Sequence, residues 1–237
     1  TCFGIGGPMM QATGFQPLMP FKPFNRMGVG EVLSGIGFFL KAKKFLVREM
    51  RARRPSVLML VDYAGFNIPM MKAARAMNIA VLWYITPKVW AWKKGRARAL
   101  SRHASIIATI LPFEPEYFMG GNAKAVYVGN PCVEDLEKKQ HILSAPPAHS
   151  SPSGDKTTWR VALVPGSRRQ EILKILPSMA EAVSILRKSY PVALKVSICR
   201  ELEQDLFQRV LDEHSLEPHK APLDDLLAWA DLALVTS

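Results

Sequence analysis

The sequence predicts an α/β protein built on parallel sheets, and three observations support this fold class. Short apolar runs rich in Val, Ile and Leu recur along the 237 residues. They rarely alternate with polar residues, which is typical of strands covered on both faces of a sheet. Helical patterns separate the runs, and this strand-helix rhythm indicates βαβ units. With 49% apolar residues, the chain has enough material to bury a core.

Seven strands are predicted from these runs. They cover residues 56–62, 79–85, 105–111, 125–129, 160–164, 193–198 and 232–236. Helical periodicity predicts helices at 29–52, 67–77, 93–102, 169–188, 201–214 and 223–229. The first residues, TCFGIGGPMM, indicate the end of a strand followed by a Gly-Gly-Pro turn.

A change of composition and charge divides the chain. Residues 141–159 are rich in Pro, Ser, Ala and Gly and lack periodicity, which indicates a linker. The net charge of +11 lies entirely in residues 1–135, whereas the remainder carries equal numbers of basic and acidic residues. We therefore predict a basic domain at 1–135, a linker at 136–159 and the first part of a second domain at 160–237. A basic half indicates an anionic partner: nucleic acid, phospholipid headgroups or a phosphorylated substrate.

The cysteines and histidines exclude several classes of protein. Cys2, Cys132 and Cys199 are scattered and odd in number, so we expect no disulfide framework and a reducing, cytosolic compartment. Neither residue type shows metal-ligand spacing, so no metal site is predicted. No apolar run approaches the roughly 20 residues needed to span a bilayer. We expect no signal peptide and expect the sequence to be a fragment lacking both ends.

The first candidate site residue is Asp62, at the end of the run VLMLVD. Ligands of open α/β sheets bind at the carboxyl ends of strands, where a carboxylate can act as a general base. The structural alternative is that Asp62 caps the next turn, with Gly65 and Asn67 as turn residues.

The second candidate is the segment 85–104, in which Trp90 and Trp92 precede Lys93 and further cations. The rings either stack on a substrate or pack under the loop, and packing is the commoner outcome. The cations either hold phosphate, nucleic acid or membrane, or form a solvated helix face.

The third candidate is the basic amphipathic pattern at 29–54. An apolar stripe includes Ile36, Leu40 and Met50. Such a helix either lies on an anionic membrane or packs on the sheet, and the two are compatible if the stripe faces inward. The residues predicted to face the membrane are Phe38, Lys41, Lys44, Phe45 and Arg48.

The fourth candidate is RVALVPGSRRQEI, residues 160–172, which predicts a strand, a tight turn and a helix start. The spacing from Ser167 to Gln170 matches a capping box. Backbone N–H groups at a helix start also favour phosphate, and Arg168 offers a planar fork for a diphosphate. Arg169 remains unassigned.

Together, the motifs resemble bacterial lipid-A-disaccharide synthase, a glycosyltransferase family of the two-Rossmann-domain (GT-B) type. The motifs occur in the family's order and span nearly the whole chain. They are GGPMMQATGF (6–15), NRMGVGEVL (25–33), VDYAGFNI (61–68), ITPKVWAWKKGR (85–96), LPFEPEYF (111–118), YVGNP (127–131) and LVPGSRRQEI (163–172).

The resemblance implies a GT-B-like pair of Rossmann-type domains, both incomplete here, and a hexosyltransferase reaction. UDP-2,3-diacylglucosamine donates its sugar, with inversion, to 2,3-diacylglucosamine 1-phosphate (lipid X). The products are lipid A disaccharide 1-phosphate and UDP, in lipopolysaccharide lipid A biosynthesis of Gram-negative bacteria. The enzyme is expected to be peripheral on the cytoplasmic face of the inner membrane and to need no metal or other cofactor.

The resemblance also implies roles for residues. Asp62 is expected to be the base for the acceptor hydroxyl, and Arg168 to hold the departing diphosphate. The donor is expected to contact Pro165, Gly166, Ser167, Arg168, Glu171 and Ser237, and the acceptor or substrate loop to include Asn67, Trp90, Trp92 and Lys93.

The sequence departs from the family pattern at several positions. The family's second aspartate in Asp-x-Pro-Asp-Phe-Asn is Gly65 here, which favours Asp62 as the functional carboxylate. Lys93 replaces a frequent arginine, and Asn130 replaces a frequent histidine. The family's Gly-Glu-Thr-Ser-Gly-Asp and Gly-Thr-Ala-Thr-Leu-Glu segments are absent, so we expect the 237 residues alone to be inactive.

Two other functions remain open from the sequence. A UDP-sugar epimerase of the same two-domain plan would not need a basic helix. A non-enzymatic nucleic-acid-binding module predicts aromatics spread over a basic face and a steep salt dependence. Here the aromatics cluster in short motifs instead.

Overall fold

A computed structural model describes residues 2–25, 32–139, 158–167, 169–198, 204–219 and 222–236. The chain divides into two compact units, Thr1–Lys138 (unit 1) and Lys139–Ser237 (unit 2). Each unit contains a four-stranded sheet in which every strand pair is parallel. The predicted α/β class with parallel sheets is confirmed.

Unit 1 begins with short elements and continues as a regular βα succession. In chain order these are β1 (Phe3–Gly4), α1 (Pro8–Gln11), β2 (Gln16–Pro17), α2 (Lys22–Asn25), α3 (Val32–Arg53), β3 (Val57–Val61), α4 (Ala64–Ala76), β4 (Ala80–Tyr84), α5 (Gly95–His103), β5 (Ile106–Thr109), a 3₁₀ helix (Glu114–Phe118), β6 (Lys124–Tyr127) and α6 (Pro131–Lys138).

The main sheet of unit 1 has the order β3-β4-β5-β6. Right-handed crossovers between consecutive strands place their connecting helices on one face. The core lies on that face, where Trp83 and Ile107 are fully buried against helical residues such as Met71 and Leu100. The loops after the four strands therefore meet at the carboxyl edge, which is the edge where α/β proteins bind ligands.

The opposite face of this sheet differs from the prediction that both faces are covered. Val57, Met59 and Val61 alternate along β3 with the core residues and are exposed, as is Ile106 on β5. No element within the described part of unit 1 covers this face. The apolar runs predicted strands correctly, but composition alone does not say which elements cover them.

Unit 2 alternates strands and helices in the same way, but its connections run in two directions. The elements are β7 (Trp159–Val164), α7 (Arg169–Leu186), β8 (Val192–Ser197), α8 (Gln204–Glu213), β9 (Pro218–His219), α9 (Leu223–Trp229) and β10 (Leu232–Val235). The strand order is β10-β7-β8-β9, so the chain returns past β7 to add β10 on its other side.

Because the chain passes back over the sheet to place β10 beside β7, helices lie on both faces of the unit 2 sheet. Val161 and Leu194 pack with α7 and α8 in the core. Their neighbours Arg160 and Lys195 point to the other face, where both cations lie over the ring of Trp229 on α9, at 5.7 and 4.7 Å. The sheet is therefore doubly wound, with its direction reversing between β7 and β10.

The ends of the predicted linker can be compared with these elements. Helix α6 runs to Lys138, three residues beyond the predicted domain end at 135, and β7 begins at Trp159, the last residue predicted as linker. The helix has a local start signal, because Asn130 accepts the N–H of Cys132 at 3.0 Å and Pro131 occupies the first helical position. Residues 140–157 lie outside the described residues.

Candidate functional site

The turn between β3 and α4 presents Asp62 at the carboxyl edge of unit 1. Asp62 and Tyr63 both adopt left-handed backbone conformations, with φ of 45° and 43°. The Asp62 N–H donates to the carbonyl of Tyr84 at 2.9 Å, so the turn extends the pairing of β3 with β4. Asp62 is exposed, and within the described residues its carboxylate has no hydrogen-bond partner. This carboxylate is therefore accessible to a hydroxyl group of a ligand at the edge.

Asn67 holds this turn from beneath. Its side-chain amide donates to the carbonyls of Val61 at 3.0 Å and Asp62 at 2.8 Å. Both amide protons are thus used on backbone, and the residue is buried. Asn67, predicted in the substrate loop, lies where it supports the strained Asp62 backbone, which is the turn role that the sequence also left open.

Tyr63 joins the turn to an aromatic cluster on α3 and α4. Its ring stacks on Phe66 with 6.0 Å between centroids and 14° between planes, and meets Phe39 edge-on at 6.1 Å. Burial raises the pKa of the Tyr63 phenol above its ordinary value of 10.0. The phenol beside Asp62 is therefore neutral at physiological pH and able to donate a hydrogen bond.

The loop after β4 carries the two predicted tryptophans, which have different surroundings. Trp90 is 36% exposed and packs edge-on against Phe113 of the next loop, with 5.7 Å between centroids. Trp92 is 53% exposed and carries Lys93 Nζ and the Arg96 guanidinium over its ring, at 4.5 and 5.1 Å. Trp90 thus packs within the edge, whereas Trp92 forms a cationic platform at the surface.

A buried hydroxyl lies at the start of the same loop. Thr86 follows Ile85, whose φ is 60°, and is almost fully buried. Its Oγ1 has no hydrogen-bond partner among the described residues.

Glu114 is a buried residue of this edge that the sequence reasoning missed. Its Oε2 accepts the N–H groups of Ile110 at 3.2 Å and Leu111 at 3.1 Å, in the loop after β5. The carboxylate thereby fixes the loop that supports Trp90. A local signal was present, because Glu114 follows an apolar strand and a Leu-Pro-Phe turn at the start of a helical segment, where carboxylates bind free N–H groups.

The residues predicted to face a membrane lie on α3, and the structure distinguishes two kinds. Lys41, Lys44 and Arg48 are exposed. Phe38 and Phe45 are half-buried instead, Phe38 against the Phe24 and Phe39 rings at 5.2 and 5.5 Å and Phe45 beneath the Arg48 guanidinium at 5.3 Å.

Part of the apolar stripe predicted to pack inward is exposed in their place. Leu40 is 62% exposed and Ile36 is 46% exposed, whereas Met50 is buried. Phe39, in the same part of α3, packs edge-on against Tyr63 and Phe66, so the exposure of Ile36 and Leu40 concerns one side of the helix.

In unit 2, the loop after β7 lies beside the end of β10. The Thr236 N–H donates to the carbonyl of Val164 at 3.0 Å, which continues the β7–β10 pairing. Pro165 is buried, and Gly166 has φ of 105°. A Cβ at position 166 would overlap the Glu171 carboxylate and approach Thr236 Cγ2 to 2.9 Å. Glycine is therefore required here by both backbone conformation and space.

Glu171, in the first turn of α7, contacts the backbone of this loop. Its Oε2 accepts the Ser167 N–H at 2.9 Å, which orders the turn before α7. The predicted partner, Gln170, has a side chain outside the described residues, as does Arg169. Arg168 and Ser237 also lie outside the described residues.

The position of this loop matches the binding site of doubly wound sheets. Helices α7 and α9 pack on opposite faces of the sheet, and the order in which strands are added reverses between β7 and β10. A crevice forms at such a reversal, outside the carboxyl ends of the two strands. The Gly166 loop and Thr236 line this point, with exposed Ser167 at the start of a helix suited to an anion.

Two kinds of feature are absent from the described residues. They contain no group of three or more His, Cys, Asp or Glu residues placed to hold a metal ion. None of the helices in the part of the chain that the structure describes is long and apolar enough to cross a membrane.

Comparisons with known proteins give a consistent match. The family model described as lipid-A-disaccharide synthetase matches residues 1–237. A lipid-A-disaccharide synthase from Anaeromyxobacter dehalogenans (strain 2CP-C) is 32% identical over all of this chain and 62% of the relative. The lipid-A-disaccharide synthase of Myxococcus xanthus (strain DK1622) is 34% identical, again over 100% of this chain and 62% of the relative. The chain thus spans less than two thirds of the length of these curated relatives.

A solved structure supports the fold. UDP-GlcNAc 2-epimerase from Neisseria meningitidis, bound to UDP-GlcNAc, matches 96% of this chain and 66% of its own with a TM-score of 0.57 and 13% identity. At this identity the likeness concerns the fold alone, and it confirms the predicted GT-B-like α/β architecture.

Proposed function

We propose a glycosyltransferase function for the protein that contains this chain, because the chain belongs to the lipid-A-disaccharide synthetase family. The proposed reaction joins UDP-2,3-diacylglucosamine to 2,3-diacylglucosamine 1-phosphate. It yields lipid A disaccharide 1-phosphate and UDP. Since the chain covers 62% of its relatives, the activity is proposed for the whole protein.

The observation that carries the site proposal is the exposed carboxylate of Asp62, held in a left-handed turn by Asn67. In a single displacement, the acceptor 6-hydroxyl oxygen attacks the anomeric carbon of the donor. The bond from that carbon to the diphosphate oxygen breaks, and the anomeric centre inverts. Asp62 takes the hydroxyl proton, while the electron pair leaves with UDP.

The leaving diphosphate is proposed to bind at the Gly166 loop of unit 2. The bare Gly166 lets a phosphate approach the backbone, and the start of α7 offers N–H groups and a positive dipole end. Because Glu171 already accepts the Ser167 N–H, we propose that it orders the loop and does not contact the diphosphate, whose charge it would repel. Arg168 is proposed to supply the balancing positive charge.

We also propose that the reaction needs no metal. The arginine and the helix start would together stabilise the charge that develops on UDP. A UDP-sugar ligand is supported by the structural neighbour, whose structure contains UDP-GlcNAc. Treatment with EDTA is expected to leave the turnover rate unchanged, and loss of activity that Mg²⁺ restores would refute this point.

The acceptor is proposed to reach Asp62 past Trp92 and Lys93. Both lie on the loop after β4, at the same edge of the sheet as Asp62. Trp92 presents an exposed ring with two cations over it, which suits a phosphorylated amphiphile. Trp90 is proposed to shape the loop through its contact with Phe113.

An anionic membrane surface is the proposed second partner, at the cytoplasmic face of the inner membrane. Helix α3 supports it with exposed Lys41, Lys44 and Arg48 around exposed Ile36 and Leu40. The apolar residues proposed to enter the interface are thus Ile36 and Leu40, since Phe38 and Phe45 are partly covered within the unit.

The test uses the full-length protein and follows UDP release with both lipid substrates. Asp62→Asn is expected to lower kcat by roughly 10²- to 10⁴-fold with little change in UDP affinity. Asparagine tolerates left-handed backbone, so the turn is preserved. Arg168→Ala is expected to weaken UDP binding by roughly 10- to 100-fold, because it removes a charged hydrogen-bond donor.

The matched control is Glu116→Gln, which removes an exposed carboxylate from the same unit and is expected to retain full activity. Wild-type turnover in Asp62→Asn would refute the base role. The epimerase of similar fold suggests a separate assay: if UDP-GlcNAc epimerises at C2 without any acceptor, the transferase proposal fails.

A further inference from the structure

A basic groove lies along α5 in unit 1, and neither Asp62 nor Asn67 is among its lining residues. One wall is α5 itself, with Lys94, Arg98 and Arg102. The other wall consists of Tyr117 and Met119, after the loop that follows β5. The groove encloses about 610 Å³ and opens to solvent along its length.

The floor of the groove is fixed by contacts between its walls. The Ser101 hydroxyl donates to the carbonyl of Phe118 at 3.0 Å, and the Ser101 carbonyl accepts the N–H of Ala123 at the same distance. Gly121 lies so close to the Ser101 backbone that a Cβ would overlap it. The walls therefore keep their spacing, and the groove is part of the folded unit.

The charge along α5 is uncompensated. Lys94, Arg98 and Arg102 follow one another at four-residue spacing, so roughly 6 Å separates each pair along the helix axis. Residues 95–103 contain no acid, and none of the three cations forms an ion pair with a described residue. Like charges at this spacing destabilise a helix, and an anion in the groove would relieve that repulsion.

The neighbouring helix adds to the positive potential. His103 ends α5, and its pKa lies below the ordinary value of 6.5. The main cause is burial, followed by the charges of Lys72, Arg102 and Arg75. The cations of α4 and α5 thus act on the same patch of surface.

The opposite wall of the groove carries exposed apolar side chains, and these favour a phospholipid over a nucleic acid as the anionic ligand. Met119 is 75% exposed, and Tyr117 is also exposed beside it. A methionine and a tyrosine at a basic surface suit a boundary between headgroups and acyl chains. A single-stranded nucleic acid would need a row of stacked rings for its bases, whereas the ring in the groove lining, Tyr117, meets its neighbour Phe113 edge-on at 6.4 Å.

We propose that this groove binds the phosphate headgroup of an anionic phospholipid at a bilayer surface. Arg98 and Arg102 contact the phosphate, while Tyr117 and Met119 enter the interface. Helices α3, α4 and α5 form one layer on the same face of the sheet, so the groove and the exposed part of α3 face a membrane together. The inference extends the membrane partner of the proposed function and does not depend on the chemistry at Asp62.

The test measures co-sedimentation of the full-length protein with phosphatidylcholine vesicles, with and without phosphatidylglycerol. Each basic residue near an anionic surface contributes roughly fivefold in partitioning. Arg98→Gln with Arg102→Gln is therefore expected to weaken binding to the anionic vesicles by roughly 30-fold. The lysine pair, Arg98→Lys with Arg102→Lys, is expected to retain binding because it keeps both charges.

The matched control is Arg187→Gln with Lys188→Gln, an equal loss of charge at exposed positions of unit 2. It is expected to change vesicle binding by less than about twofold, since neither residue lines the groove. Equal binding by the groove variant and this control would overturn the inference. So would equal binding to vesicles lacking phosphatidylglycerol, or preferential binding of polyuridine RNA that the glutamine pair abolishes.

Two further measurements separate this inference from the proposed function. A soluble short-chain phosphatidylglycerol is expected to raise the pKa of His103 in an NMR titration, because a phosphate beside Arg102 offsets the cations. An unchanged His103 pKa would count against the site. UDP release in detergent is expected to be unaffected by the glutamine pair; if the wild type shows no transfer at all, the proposed function fails while the vesicle result still decides the groove.

Discussion

Replacing Gly166 by alanine tests the structure of the unit 2 loop most directly. The residue has φ of 105°, and a Cβ there would overlap the Glu171 carboxylate. A left-handed backbone costs a non-glycine residue about 1–2 kcal/mol. The carboxylate must also move and give up the Ser167 N–H, which costs about 1 kcal/mol because water replaces part of that exposed bond. We expect unit 2 to lose about 2–3 kcal/mol of unfolding free energy.

The measurement is hydrogen exchange of the β7 amides in the full-length protein, together with calorimetric UDP affinity. Exchange of Trp159–Val164 reports the opening of unit 2 separately from unit 1. Gly14→Ala is the control for backbone strain, since Gly14 has φ of 85° and open space around its Cβ position. It is expected to cost only about 1–2 kcal/mol, in unit 1.

A double variant isolates the collision. In a Glu171→Ala background the carboxylate is absent, so Gly166→Ala should cost about 1 kcal/mol less than in the wild type. Additive effects of the two substitutions would refute the collision. Unchanged β7 protection and UDP affinity in Gly166→Ala alone would refute the assigned role of the glycine.

Three other predictions concern unit 1. Asn67→Ala removes the donor to the carbonyl groups of Val61 and Asp62 and should lower the unfolding free energy by about 1–3 kcal/mol in urea titrations; an effect below about 0.5 kcal/mol would contradict the role of Asn67 in holding the turn. Glu114→Ala should destabilise more than Glu114→Gln by about 1–3 kcal/mol, because glutamine keeps an oxygen for the two backbone N–H groups, and equal losses would show that this acceptor contributes nothing. The folded pKa of His103 is lowered, so the unfolded chain takes up its proton first and stability should fall as pH decreases below about 6.5. Urea titrations across pH should show a smaller decline for His103→Asn, and an identical pH profile would argue against the lowered pKa.

Several elements followed from local sequence because their causes are local. The runs predicted as strands at 56–62, 79–85 and 160–164 form strands at 57–61, 80–84 and 159–164, since apolar β-branched segments of this length suit a sheet. The helix start at 169 and the turn at Gly166 were likewise readable from a glycine before a helical pattern. The strand end predicted within TCFGIGGPMM corresponds to β1, whereas β2 was missed, because two residues carry no periodic signal.

The side-chain contacts within the candidate sites could not be predicted from the sequence to the same extent. Asn67 occurs in a motif that resembles the family, yet its role depends on which carbonyl groups the turn brings over its amide. Glu171 is predicted to contact the donor, and this stays a prediction; its hydrogen bond to the Ser167 N–H was not predicted. The apolar stripe on α3 was predicted from helical periodicity. Leu40 belongs to this stripe but is exposed, and periodicity does not show which residues of a stripe find a packing partner.

By itself, the sequence determined the α/β class, the parallel strands, the uneven distribution of charge and the positions of Asp62 and Gly166 at strand ends. Each of these depends on residue type and on spacing within one element. Only the tertiary structure decided that β10 lies beside β7, that Glu114 supports the loop carrying Trp90's neighbour, and that α5 and Tyr117 enclose a basic groove. The β7–β10 pairing joins Val161 to Leu232, far apart along the chain, and such pairings are selected by burial and hydrogen bonding of the whole sheet.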